Sequence, residues 1–155
     1  MAVVNEIYDK DIKQEISLKI MHAIPKWFNP PEDIDKKSIV HRDYPFFAVY
    51  DNDSAVGFLT LKIHNEFTAD IFNMGVLEEY HGNGFGTALV RAAEKYCVEN
   101  NFKFLTVKTL DGSVNYEPYE RTRSFYAKMG FIPLEVFKTF WDEDNPCLFL
   151  AKYIG

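Results

Sequence analysis

The stretch His81-Gly82-Asn83-Gly84-Phe85-Gly86-Thr87 decides how this chain of 155 residues is read. It lies between an apolar strand-like run ending at Val76 and a helical pattern from Gly86 to Glu99, with Leu89, Ala93, Tyr96 and Cys97 on one face. Three glycines at alternate positions allow a sharp turn and leave amide N–H groups uncovered. The helix after the loop opens with unpaired amides and the positive end of its dipole. Together they form a site for an anion such as a pyrophosphate. Two other phosphate-binding patterns fail. No Lys follows Gly86, which excludes G-x-x-x-x-G-K-[ST]. Thr87 stands where G-x-G-x-x-G needs its last glycine, and the loop follows the third strand of a meander, not the first strand of a βαβ unit.

Upstream of the loop, Phe46 to Tyr50 reads as a strand, Asp51 to Ser54 as a turn and Ala55 to Ile63 as a second strand. A turn near Asn65-Glu66 leads to a third strand, Ala69 to Val76, completing an antiparallel meander. Nearer the N-terminus, Val3 to Ile7 reads as a short strand. Asp9 or Asp11 then caps a helix that runs to about Ile24, with Ile12, Ile16, Ile20 and Ile24 at helical spacing and Pro25 as its stop. Asn29-Pro30-Pro31-Glu32-Asp33 reads as a cap, prolines near the first turn and acids at the positive dipole end of a second helix. Downstream, Phe104 to Thr109 is a strand, and Pro118 to Met129 a helix closed by Gly130 as a left-handed C-cap. Two strands come last, Ile132 to Phe140 and Leu148 to Tyr153, joined by the turn Asp142 to Pro146. The order predicts an α/β (α+β) fold: one domain, residues 1–155, with a mostly antiparallel central sheet flanked by helices.

Composition bounds the function. The formal net charge of −6 argues against nucleic acid, whose partners show an excess of Lys and Arg. No apolar run reaches the ~20 residues of a membrane helix. The first residues, Met1 to Glu6, show neither the basic nor the apolar region of a secretory signal. Cys97 and Cys147 are too few for a disulfide framework, and the expected compartment is the cytoplasm. Both cysteines read as structural, since neither is paired with a His that could activate it. The four His are scattered, so no metal is expected. Aromatic residues make up 16% of the chain, enough to line a pocket as well as a core.

The run Val76 to Leu89 resembles the acetyl-CoA signature of the GNAT superfamily of N-acetyltransferases, [QR]-x-x-G-x-[GA] at a strand-to-helix turn. It maps onto His81-x-x-Gly84-x-Gly86, with His81 in place of the usual Gln or Arg. Arg123 to Phe131 is similar to the family's second CoA segment, F-Y-x-x-x-G-F, and the element order matches along nearly the whole chain. The resemblance implies a sheet splayed at the acetyl-CoA site and acetyl transfer to an amine. It places the pyrophosphate on His81, Gly82, Asn83, Gly84, Phe85, Gly86 and Thr87, and the pantetheine arm along the backbone at Val76. There a nearby amide would polarise the thioester carbonyl. Gly75, a glycine inside a strand, marks a bulge that splays it from its neighbour.

By the same resemblance Tyr126 sits at the general acid, where a phenol protonates the departing CoA thiolate. Asp70 lies six residues before Val76, where some members carry a base, and strand alternation places it with Phe72 and Met74. Glu66, His64 or water are the fallback bases. Tyr119 occupies a position where members often have an Asn, so no Asn role carries over. Arg121 and Arg123 are candidates to meet a CoA phosphate, with a solvated helix face as the default reading. Trp27-Phe28 and Tyr44 to Phe47 are candidates for an aromatic wall around the acceptor, a small-molecule amine or alternatively a protein amine. Dimers are common in the family, so a homodimer is allowed for. A non-catalytic CoA- or acyl-CoA-sensing module is the reading from another class.

Overall fold

The computed structural model describes residues 2–155. Its strands are β1 (Ala2–Ile7), β2 (Phe46–Asp51), β3 (Ser54–Ile63), β4 (Thr68–Val76), β5 (Phe104–Leu110), β6 (Ile132–Asp142) and β7 (Asn145–Tyr153). Its helices are α1 (Lys10–Ala23), α2 (Pro31–Val40), α3 (Phe85–Glu99) and α4 (Glu117–Lys128). All seven strands join one sheet in the order β1-β2-β3-β4-β5-β7-β6. Every neighbouring pair is antiparallel except β4 and β5. This is the mixed, mostly antiparallel architecture the element order predicts.

Local chemistry explains where the elements begin and end. Asp9 accepts from the amides of Asp11 and Ile12 and so caps α1. The buried face of α1 is Lys13, Ser17, Ile20 and Met21. Ile12 lies off that face and is exposed, because Lys13 turns inward instead, its ammonium donating to the Tyr44 carbonyl at 2.7 Å. Asn29 does not cap α2: its amide donates back to the Pro25 carbonyl at 3.1 Å, and Pro30 takes the cap position without a side-chain bond. Gly130, at φ +93°, ends α4 as expected, and the Phe131 amide closes back on the Tyr126 carbonyl at 3.0 Å.

Two cores lie on opposite faces of the sheet. On one, α1 and α2 bury Ile20, Met21, Ile24, Phe28 and Ile34 against Phe46, Ala48 and Phe58. On the other, Leu89, Val90, Ala93 and Cys97 of α3, Tyr126 of α4 and Met129 just after it cover Leu59, Leu61, Ile71, Leu105 and Val107. Each large apolar side chain buried there contributes about 1.5–3 kcal/mol.

Two irregularities of β4 shape the molecule around it. Its pairing with β5 spans only Thr68–Phe104 to Ile71–Val107; beyond those rungs the two strands part. Its pairing with β3 slips by one residue, from Leu61–Ile71 to Thr60–Asn73, leaving Phe72 without an opposite number. The bulge is therefore at Phe72 and not at Gly75. Gly75 is small for another reason: a Cβ there would sit 3.1 Å from Ile24 and 3.3 Å from Phe58, where α1 crosses the strand.

Candidate active site

A cleft of about 630 Å³ opens where β4 and β5 part. It runs from the glycine loop, along Met74, Gly75 and Val76, to Phe125 and Tyr126 of α4. Gly82 and Gly84 adopt φ of +78° and +86°, and nothing lies within 4 Å of where either Cβ would point. Gly84 is the N-cap of α3 and brings no capping side chain, and the first turn carries no acid. The leading amides of α3 are thus left for a ligand, in a backbone cradle that fits a phosphate anion.

The loop's side chains play other parts. The His81 imidazole reaches back to the Val76 carbonyl at 2.8 Å and meets Trp27 edge to face, centroids 5.2 Å apart. It ties the loop to the end of β4, leaving only its backbone for an anion. Phe85 is buried against Tyr80, so it too can offer only its amide. The Asn83 amide donates to the His81 carbonyl at 3.3 Å, and Thr87 lines the cleft. Gly86 is held small by α4: a Cβ would meet the Phe125 ring at 3.3 Å.

Tyr126 lines the inner end of the cleft and is almost completely buried. Burial pushes its phenol well above the usual tyrosine range, so the proton stays on the oxygen. Its hydroxyl faces the Met74 sulfur at 3.9 Å. Met74 is on this side because the bulge reverses the alternation: it pairs with Leu59, on the α3 face, and not with the Asp70 face as simple alternation would have it.

Asp70 lies on the opposite face of the sheet, one rung below the parting of β4 and β5. It lines no part of the cleft. It is 4% exposed and accepts from the Thr106 hydroxyl at 2.6 Å, with the Lys108 ammonium 3.5 Å from the same oxygen. Burial raises its pKa, and the Thr106 bond and Lys108 charge only partly offset this. A carboxylate made more basic in this way is suited to taking a proton. His64 and Glu66 fall in the turn between β3 and β4, at the other end of β4 from the loop.

The expected aromatic wall is divided. Trp27 lines the cleft, its indole N–H donating to the Pro118 carbonyl and the Thr122 hydroxyl, each at 3.1 Å. Tyr44 packs edge to face on Phe72, 5.3 Å between centroids. Phe28, Phe46 and Phe47 are core. The α1–α2 connection is strapped to α4 by further bonds, from Tyr119 hydroxyl to the Trp27 carbonyl and from Tyr116 hydroxyl to the Lys26 carbonyl. Arg121 is not a free solvated charge: it pairs with Glu78 and Glu117 and lies over the Trp27 ring. Arg123 donates to the Leu110 carbonyl at 2.8 Å. Cys97 and Cys147 are both buried free thiols, with Cys97 pushed up to about 11 by burial. Thr106 and Lys108, the neighbours of Asp70, have no part in the reading of the sequence; their only local signal is polar side chains at alternate positions of β5, whose other residues are apolar except Thr109.

The fold recurs in solved proteins. A GNAT-family protein from Desulfovibrio desulfuricans superposes with a TM-score of 0.85 at 16% identity over 100% of both chains. An aminoglycoside 6′-N-acetyltransferase complexed with coenzyme A gives 0.77 at 19% identity, covering 99% of this chain and 97% of that one. The ribosomal-protein-S18-alanine N-acetyltransferase of Escherichia coli gives 0.76 at 14%, covering 100% and 95%. No curated protein is significantly similar in sequence. The acetyltransferase (GNAT) family model matches residues 11–131, from the first turn of α1 through the glycine loop to the end of the second CoA-like segment. With the parted β4–β5 pair and the open amide cradle in the same frame, the chain belongs to the GNAT acetyltransferase family and is an acyltransferase.

Proposed function

We propose that the protein moves the acetyl group of acetyl-CoA to a primary amine of a small molecule, by direct attack within a ternary complex. One observation carries this reading: the gap between β4 and β5 has the Tyr126 hydroxyl on one face and the Asp70 carboxyl on the other. A donor lying along the cleft would bring its thioester to the gap from the Tyr126 side. An acceptor would reach it from the Asp70 side. Solved proteins of this fold include acetyltransferases named for aminoglycosides, for the alanine of a ribosomal protein and for IAA, and one is complexed with coenzyme A and another with acetyl-CoA.

Each part of the site has its own task. The α3 amides and the Gly82–Gly84 backbone hold the pyrophosphate. The end of β4 at Val76 aligns the pantetheine arm. Asp70 takes a proton from the alkylammonium, whose nitrogen then attacks the thioester carbon. As the carbon–sulfur bond breaks, Tyr126 supplies the proton that the thiolate needs.

Thiol release from acetyl-CoA across a panel of amines tests the reading, together with Tyr126→Phe. Tyr126→Phe should lower kcat by about 10²–10⁴-fold and leave acetyl-CoA affinity nearly unchanged. Unchanged turnover would remove Tyr126 from the chemistry. Coenzyme A binding with no release from any amine would favour the sensing module.

A further inference from the structure

Lys108 stands on the acceptor face beside the proposed base, and its surroundings are unusual. It lies on β5 just past the last rung shared with β4, and its side chain is 19% exposed. Its ammonium sits over the rings of Phe149 and Phe140, 5.2 and 5.7 Å from their centroids. Among the described residues its one anionic neighbour within ion-pair reach is Asp70, 3.5 Å away and already bonded more closely by Thr106. An ammonium has three donors, and this one uses a single long contact.

Charge balance at this spot constrains the acceptor. Asp70 and Lys108 together are neutral. An incoming alkylammonium that engages Asp70 draws off the counterion of Lys108 and leaves two cations in a half-buried, aromatic-walled space. That arrangement is costly unless a second anion arrives. A molecule that carries its own carboxylate close to its amine brings that anion with it. Its ammonium meets Asp70 and its carboxylate meets the idle donors of Lys108, so the site stays neutral throughout.

We infer that Lys108 selects acceptors with a carboxylate adjacent to the reacting amine, α-amino acids in chemical class, over plain amines and polyamines. This rests on the acetyl-transfer reading above. Polyamines are disfavoured twice, by the absent anion and by repulsion from Lys108.

The test uses matched trios: an α-amino acid, its amide and its decarboxylated amine, such as phenylalanine, phenylalaninamide and 2-phenylethylamine. Trios of several side-chain types are run with acetyl-CoA and thiol release is measured. In the best-used trio, kcat/KM for the amino acid should exceed that for the plain amine by about 10–100-fold, the worth of one charge-assisted hydrogen bond. Lys108→Met should lower that ratio at least tenfold, and Lys108→Arg should keep it, which guards against a variant that merely folds badly. A wild-type ratio of one or less, or a ratio that Lys108→Met leaves unmoved, overturns the inference alone. Absence of release from every amine overturns the acetyl-transfer reading and this inference with it.

Discussion

His41 should make this protein unusually sensitive to mild acid. It sits in a single 3₁₀ turn after α2, fully buried among Phe46, Phe58 and Phe72. The Asn73 amide lies 2.8 Å from Nε2, and Nδ1 has no partner among the described residues. Desolvation, with Lys37 as the nearby cation, pushes its pKa down from 6.5 to about 3. The unfolded chain therefore binds a proton at His41 below 6.5 that the folded protein refuses down to about 3. Stability from this group is whole above the upper value and is lost as pH falls toward the lower one. Each pH unit in that window takes away about 1.4 kcal/mol. Between pH 6.5 and 4.5 the loss reaches about 2–3 kcal/mol, a large share of the ~5–15 kcal/mol that holds a typical domain together. Denaturant melts of the native protein and of His41→Gln across this range would measure it, the variant showing the shallower pH slope. Carboxylate titrations are common to both proteins and cancel in the difference. A ring titration followed by NMR in the native protein gives the same answer without a variant. Equal slopes, or a His41 ring that titrates near 6.5, would refute the reasoning.

Asp70→Asn should cut kcat/KM by about 10²–10⁴-fold and abolish the acid limb of its pH profile. Because burial raises the Asp70 pKa, that limb in the native enzyme lies above the ordinary 3.8, with activity falling as pH drops through it. A variant that keeps the native rate and the same limb would pass the proton to water instead. Gly84→Ala meets open space but must hold a φ of +86°, so it should cost about 1–2 kcal/mol in a denaturant melt. It should also weaken acetyl-CoA binding measured by titration; native-like values for both would show that the left-handed turn is not required.

The glycine loop and the Gly130 cap were legible in the sequence because a few consecutive residues determine each. A positive φ at Gly84 or Gly130 needs no knowledge of distant partners. The same holds for the Asp9 cap, whose carboxylate reaches amides two and three residues on. Asn29 failed by the same local logic: it had a rival acceptor within four residues, the Pro25 carbonyl, which its amide took. Asp70 was visible as a candidate but its setting was not. Thr106 and Lys108 come to it from 36 and 38 positions along the chain, through the register of the lone parallel pair. The strapping of the Trp27 segment by Tyr116 and Tyr119 spans about ninety positions and leaves no local trace.

The bulge at Phe72 is the clearest case of structure that only pairing could decide, and it bears directly on the chemistry. In a regular strand Asp70 and Met74, four residues apart, would share a face. The residue inserted opposite no partner in β3 reverses the alternation between them. One strand thereby sends a carboxyl to the face where Thr106 and Lys108 stand and a thioether to the face where the Tyr126 hydroxyl stands. It also leaves both Phe72 and Asn73 toward the turn that follows α2, where Phe72 packs on Tyr44 and Asn73 holds His41. Those two contacts fix the irregularity in place. The Asn73 contact to the buried His41 and the meeting of Met74 with the Tyr126 hydroxyl are therefore two consequences of one extra residue in β4.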